Sequence, residues 1–178
     1  MEVDGALWRT LPMDAAVRAE LRVGVELDRL RLRSVRRELR RAEALSWAVR
    51  ALRRRDLSRR SLEERLRDAG LTADERQAAL ATLERAGLLD DARFALARAA
   101  SLAERGYGDE AIHWTLEREG VDTEVARRAI AALAPEQDRA EAIVERRGAG
   151  HATAAFLVRR GFAQEAVEGV FGVGSRDG

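Results

Sequence analysis

Two carboxylates stand side by side in GLLDDARF, residues 87–94. A pair of neighbouring acids is one way a chain begins a metal site or an acid–base dyad. Asp90 and Asp91 are therefore the first residues to weigh. A metal site needs more ligands at suitable spacing, such as an H-x-x-x-H pair or a D-x-D loop, and none is nearby. Helix punctuation accounts for the pair better. Gly87 closes one helix and Asp90 falls at the N-cap of the next. Asp91 lies in its first turn, where a carboxylate meets free backbone N–H groups and the positive end of the helix dipole. Leu88 and Leu89 pack the turn, and Phe94 faces the core one turn on.

The other residues able to do chemistry are isolated. His113 lies on a helix beside Trp114, and His151 opens a helix after a Gly turn. Neither has a Ser, Cys or carboxylate set at triad or metal spacing. There is no G-x-x-x-x-G-K-[ST] and no G-x-G-x-x-G, and the turn GYG (106–108) is too short to cradle a phosphate alone. The sequence thus predicts no catalytic residues, no metal and no cofactor.

Arginine is the chemistry left. All 32 basic residues counted as Lys+Arg are Arg, which GC-rich codon usage explains without any ligand. Their distribution says more than their identity. Residues 29–60 hold thirteen Arg and three acids, a net of +10 on a chain whose total is +1. A basic segment beside an acidic body suits either a solvated helix face or a polyanionic or acidic partner. Within ALRRRDLSRRSLEERL (51–66), Arg53, Arg54, Arg55, Arg59 and Arg60 crowd a helix–turn–helix corner. Asp56 or Ser58 joins the two helices there, and Ser61 with Glu64 has capping-box spacing. No aromatic residue is interleaved with this corner, so base stacking is not indicated.

The elements that position these residues are helical. Hydrophobic content is 46% but only 4% is aromatic, and Leu, Ala and Val supply most of it. Two prolines, Pro12 and Pro135, leave few points that forbid a helix. The absence of cysteine excludes a disulfide framework. No apolar run approaches a bilayer span, and MEVDGALWRT does not read as a secretory signal, so a cytoplasmic protein without membrane contact is expected. ALWRTLP (6–12), after the turn signal Val3-Asp4-Gly5, is the only plausible strand material. Asp14 is placed to cap a short helix through Leu21, with Gly24 as a stop. Leu27, Leu30, Val35, Leu39, Ala42, Leu45, Val49 and Leu52 then form an apolar stripe opposite Arg, on one helix or on two broken near Ala44.

Repeats give the organisation. LRDAGL (66–71), LEREGV (116–121) and LVRRGF (157–162) align on Gly70, Gly120 and Gly161. Each glycine ends a helix at C′, where Gly is favoured. Apolar residues follow at fixed offsets: Ala79, Leu80 and Leu83; Ala129, Ile130 and Leu133; Val170 and Phe171. Helices at about 44–56, 91–104 and 136–147 precede the three motifs. The pattern predicts an all-α chain of three tandem three-helix repeats, stacked into an elongated, curved array because one such unit buries little core. Boundaries follow: an N-terminal extension at 1–43, repeats at 44–87, 88–134 and 135–172, and a disordered tail at 173–178. Without a sustained heptad seam, a monomer is expected.

These motifs resemble one family. The run Arg55, Asp56, Ser58, Leu62, Leu66, Gly70 is similar to the first repeat of the RecX regulatory proteins. GLLDDARFA (87–95) followed by RGYG (105–108) resembles the second, and LVRRGF (157–162) the third. The likeness covers about residues 44–172, and 7–43 resembles the N-terminal extension of some members. The third repeat departs from the pattern: GAGHATAA stands where many members carry more basic residues.

The resemblance implies a regulator, not an enzyme. It implies binding of the RecA recombinase filament and inhibition of its growth, ATPase, strand exchange and coprotease activity, with weak DNA binding besides. By carry-over, Arg55, Arg59, Arg60, Arg93, Arg98, Arg105 and Tyr107 are the expected contacts. Gly70, Gly87, Asp90, Asp91, Gly120 and Gly161 are the expected scaffold. A DNA-binding helical protein acting through 29–60 without RecA is the alternative.

Overall fold

Glycine stops and small-residue helix faces decide this architecture. The computed structural model describes residues 1–8 and 10–172, so the tail expected at 173–178 lies outside the described residues. Ten helices and one hairpin occur among them: β1 (Glu2–Val3), β2 (Ala6–Leu7), α1 (Met13–Arg18), α2 (Arg29–Arg54), α3 (Arg59–Asp68), α4 (Ala73–Arg85), α5 (Asp91–Glu104), α6 (Asp109–Arg118), α7 (Thr123–Ala131), α8 (Glu136–Arg147), α9 (His151–Arg159) and α10 (Gln164–Gly172). The chain is all-α, as its composition suggests. No described helix is long and apolar enough to cross a membrane.

The aligned glycines act alike. Gly70, Gly120 and Gly161 have φ of 80°, 85° and 73°, the left-handed region that side chains avoid. In each case the next residue donates its N–H back five residues: Leu71 to Leu66 O (3.2 Å), Val121 to Leu116 O (3.0 Å) and Phe162 to Leu157 O (3.2 Å). This is the Schellman closure, in which the residue after the glycine also packs against the last turn. Val121 and Phe162 are accordingly 4% exposed.

Two compact units are present. The first comprises Met1–Asp56 and Leu62–Leu89. In it Asp4 and Gly5 turn the antiparallel pair β1–β2 with positive φ, so the hairpin lies at residues 2–7 and not across 6–12. Helix α1 begins after Pro12 without a side-chain cap and ends at Arg18, so Asp14 falls inside its first turn. Helix α2 is continuous past Ala44 and is capped by Asp28, which accepts the Arg31 N–H at 2.7 Å. Its buried face is Val35, Glu38, Leu39, Ala44 and Ala48, while Leu30 is 72% exposed. The apolar stripe therefore turns toward the alanines. They have no bulk to hold a neighbour away, and α4 packs against α2. Val35 and Leu39 meet Ala19, Leu11 and Leu21. The buried Glu38 carboxylate ties α1 to α2 through Arg18 (3.2 Å) and Arg41 (2.9 Å).

Helix α4 opens with a reciprocal capping box, Thr72 with Glu75, and the buried Glu75 also receives Arg40 Nε at 2.8 Å. The backbone N–H of Thr72 holds the Glu75 carboxyl below its usual range, helped by the Thr72 hydroxyl and Arg40 and opposed by burial. A carboxyl depressed in the folded state contributes stability above its unfolded pKa, and that contribution is lost as pH falls through the folded value. Glu75→Gln should therefore lower the urea midpoint at neutral pH, with the gap to wild type closing as the solution is acidified through the carboxylate range. A gap of constant size down to acid would remove the charged carboxylate from the account.

The second unit comprises Leu57–Ser61 and the chain from Asp90 on. One core joins Ala95, Ala99 and Leu102 of α5 to Ile112 and Leu116 of α6 and Ala126 and Ala129 of α7. Another joins Ala140 and Ile143 of α8 to Leu157 and Phe162.

Candidate interaction surface

The adjacent carboxylates of GLLDDARF serve two different helices. Asp90 caps α5, accepting the N–H groups of Ala92 and Arg93 at 3.0 Å each. Asp91 reaches across to α3 and accepts the Arg59 N–H at 2.7 Å. Both carboxylates accept helix N–H groups, and the second serves a helix that the local sequence does not announce. Among the described residues no cluster of acids and histidines could hold a metal.

Asp91 belongs to a junction. The Ser58 hydroxyl donates to the Glu119 carbonyl, and the Ser61 hydroxyl donates to the same oxygen at 2.8 Å. Ser58 also accepts the Ser61 N–H at 3.1 Å. Ser58 is therefore the cap of α3, and the Ser61–Glu64 spacing falls inside the helix. Gly120 leaves room for the Arg60 stem; a Cβ there would stand 2.7 Å from Arg60 Cβ. Arg98 holds the Glu119 carboxylate with two nitrogens, Nη2 to Oε1 at 2.7 Å and Nε to Oε2 at 3.0 Å. Glu119 keeps that guanidinium firmly protonated. A cleft of about 440 Å³ lies beside it, lined by Arg59, Arg60, Asp91, Glu117 and Gly120–Thr123.

The same junction is made again. Glu136, at the start of α8, accepts the Asp109 N–H at 2.6 Å as Asp91 accepts that of Arg59, and its other oxygen takes the Ala163 N–H at 3.1 Å. The Gly108 N–H donates to Arg160 O at 2.8 Å. Arg139 braces the loop through the Tyr107 carbonyl (3.0 Å) and the Asp109 carboxylate.

The expected contact residues fall in distinct settings. Arg55 belongs to the first unit, exposed in extended backbone just past α2. In the second unit, Arg60 and Arg93 are exposed, Arg59 is half-buried, and Arg98 is committed to Glu119. Arg105 and Tyr107 belong to an assembly that sequence reading did not find. The Arg105 guanidinium lies 5.7 Å from the Tyr107 ring centre and that of Arg160 lies 4.4 Å from it. Arg160 is also 5.1 Å from the Phe156 ring, and Arg147 is 4.3 Å from it. Arg147, Phe156 and Arg160 are about forty to fifty-five residues from Arg105 in the chain, so no local pattern links them. LVRRGF holds Arg160 and directly follows Phe156, and the Gly161 alignment is the one signal that could have led there.

No family model matches the chain. The regulatory protein RecX of Chromohalobacter salexigens is 41% identical over 101 residues, which is 56% of this chain and 66% of that protein. The match thus spans just under two thirds of that relative's length. A crystal structure of a regulatory protein RecX superposes with a TM-score of 0.81, covering 95% of this chain and 92% of the other at 16% identity. That of RecX from Lactobacillus salivarius gives 0.65, over 75% of this chain and 96% of the other, also at 16% identity. At such identity the two structures establish the fold alone. Sequence match and fold agree: this chain belongs to the RecX family of regulatory proteins.

Proposed function

We propose that this chain binds the RecA recombinase filament and inhibits its growth, and with it ATP hydrolysis, strand exchange and coprotease activity. The observation that carries the reading is the match to a RecX protein at 41% identity over 101 residues. On this reading the protein is a monomeric cytoplasmic regulator without catalysis. It is built from three repeats, for which the twice-made junction is support. Arg55, Arg59, Arg60, Arg93 and Arg105 are the proposed contacts. Arg98 is proposed to act in the same surface while holding Glu119.

The test is binding with and without recombinase. Labelled single-stranded DNA coated with nucleotide-bound RecA should engage this protein at nanomolar concentration, while the naked strand should need far more. A second reading has its own observation. Arg29, Arg33, Arg36 and Arg37 of α2 are exposed on one side of the helix, a row suited to duplex phosphates. It predicts tight binding to naked duplex at physiological salt, with affinity falling steeply as salt rises.

The corner arginines give a sharper check. Changing Arg55, Arg59 and Arg60 together to Ala should weaken inhibition of RecA by roughly tenfold, as loss of several exposed interface charges does, with the melting temperature nearly unchanged. An unaltered inhibitory titration would remove those residues from the proposed contact.

A further inference from the structure

Arg105, Arg147 and Arg160 share an unusual condition. Each lies over an aromatic ring, and none is paired with a carboxylate among the described residues. Of their guanidinium N–H donors only Arg160 Nη1 has an acceptor among the described residues, the Arg105 carbonyl at 3.3 Å. In this unit Arg98 is taken by Glu119 and Arg139 by Asp109, while Arg118 lies over Trp114, a ring that holds one guanidinium and not a shared ladder. Stacking on a ring fixes the plane of a guanidinium and leaves its donor edge outward, so less freedom is lost when an oxyanion is bound. Tyr107 and Phe156 thus hold three forks in place, two rings for three cations.

We propose that this guanidinium–aromatic ladder is a docking strip for the carboxylates of a short acidic protein segment. Two observations favour carboxylates over a nucleic acid strand. Each ring is already engaged by two guanidinium groups, Tyr107 by Arg105 and Arg160, Phe156 by Arg147 and Arg160, so neither offers a platform on which a base could stack. The second unit carries thirteen Arg against fifteen Asp and Glu among its described residues. Backbone recognition of nucleic acid draws on roughly six to ten phosphate contacts, and a ladder of three cations on a net-negative body does not match that number. Two or three acidic side chains match what is present. Recognition of such a segment does not require the filament reading to hold, and its test uses no recombinase.

The test follows the arginine Nε–H resonances of the full chain, labelled with nitrogen-15, during titration with an oligo-glutamate peptide at physiological salt. Peaks of Arg105, Arg147 and Arg160 are assigned from the variants R105Q, R147Q and R160Q. These three peaks should shift and saturate at lower peptide concentration than any peak of the α2 arginines. R160Q should raise the concentration needed at Arg105 and Arg147 by about tenfold, the size of one charge-assisted hydrogen-bonded pair. R159Q, on the neighbouring exposed arginine, should leave it unchanged. The proposal is overturned if the ladder peaks stay still, or if the α2 peaks saturate first. It is overturned equally if an oligothymidylate strand saturates the ladder at lower concentration than the peptide.

Discussion

Gly108→Ala should destabilise the second unit by about 3 kcal/mol or more, the range of backbone clashes that packing cannot relieve. The added Cβ would stand 2.2 Å from Gly161 O and 2.3 Å from Phe162 N. Both obstacles are backbone, so no side chain can swing aside. The crossing also carries hydrogen bonds, from Gly108 N–H to Arg160 O at 2.8 Å and from Glu110 N–H to Gly161 O at 3.3 Å. Moving the strands apart would break these and pull Asp109 from Glu136. Hydrogen exchange of the α6 and α10 amides should accelerate sharply, while α2 and α4 amides should change far less. Gly148→Ala is the control: Gly148, unlike Gly108, has a positive φ but faces open space, so it should show only the backbone cost, about 1 kcal/mol. Equal effects at the two sites would mean the crossing is not tight.

Leu116→Ala should cost about 4 kcal/mol, near the upper end for this substitution. The side chain is fully buried. What surrounds it decides the size of the effect. Ala95 and Ala99 of α5 and Ala126 and Ala129 of α7 line the same core. Alanines bring helix backbones close and have no rotamers with which to fill a void, so the cavity should persist. Leu88, 55% exposed, supplies the comparison, and Leu88→Ala should change stability by no more than about 0.5 kcal/mol. Urea denaturation of both variants measures this. A loss near 1 kcal/mol at Leu116 would show that the alanine-lined core collapses readily.

The two results rest on features of unequal visibility in the sequence. The glycine stops were legible because left-handed backbone leaves glycine as nearly the sole choice and the aligned spacing repeats it. Helices α5 and α8 were legible to the residue, since Asp90 and Pro135 mark their starts and Gly106 and Gly148 follow their ends. Helix α2 was read less well. Leu30 looked like core by periodicity, yet Ala44 and Ala48 are buried in its place, because close approach of α4 rewards small residues that a hydrophobicity pattern undervalues. Ser61 with Glu64 had the right spacing for a cap, but Ser58 caps α3 because its hydroxyl is also drawn to the Glu119 carbonyl, 61 residues away.

The candidate site divides in the same way. Asp90 could be assigned from its neighbours alone, since the N–H groups that donate to it lie two and three residues on in the chain. Asp91 could not, as its partner is Arg59 N–H, 32 residues earlier. Arg98 was an expected contact only through the family resemblance, and only the fold brings Glu119 to it. The ladder of Arg105, Tyr107, Arg160, Phe156 and Arg147 exists only once α5, α8 and α9 are assembled. Sequence reading could see a basic corner without aromatics and could not see aromatics meeting arginines elsewhere.

The most direct measurement is ATP hydrolysis by the cognate RecA on single-stranded DNA, with this protein titrated in well below one copy per RecA. Inhibition at such ratios is the predicted result, because a protein that acts on growing or disassembling filaments needs only a few sites among many. Unchanged hydrolysis, even with this protein in excess, would contradict the proposed filament regulation and leave the basic face of α2 to be tested against DNA alone.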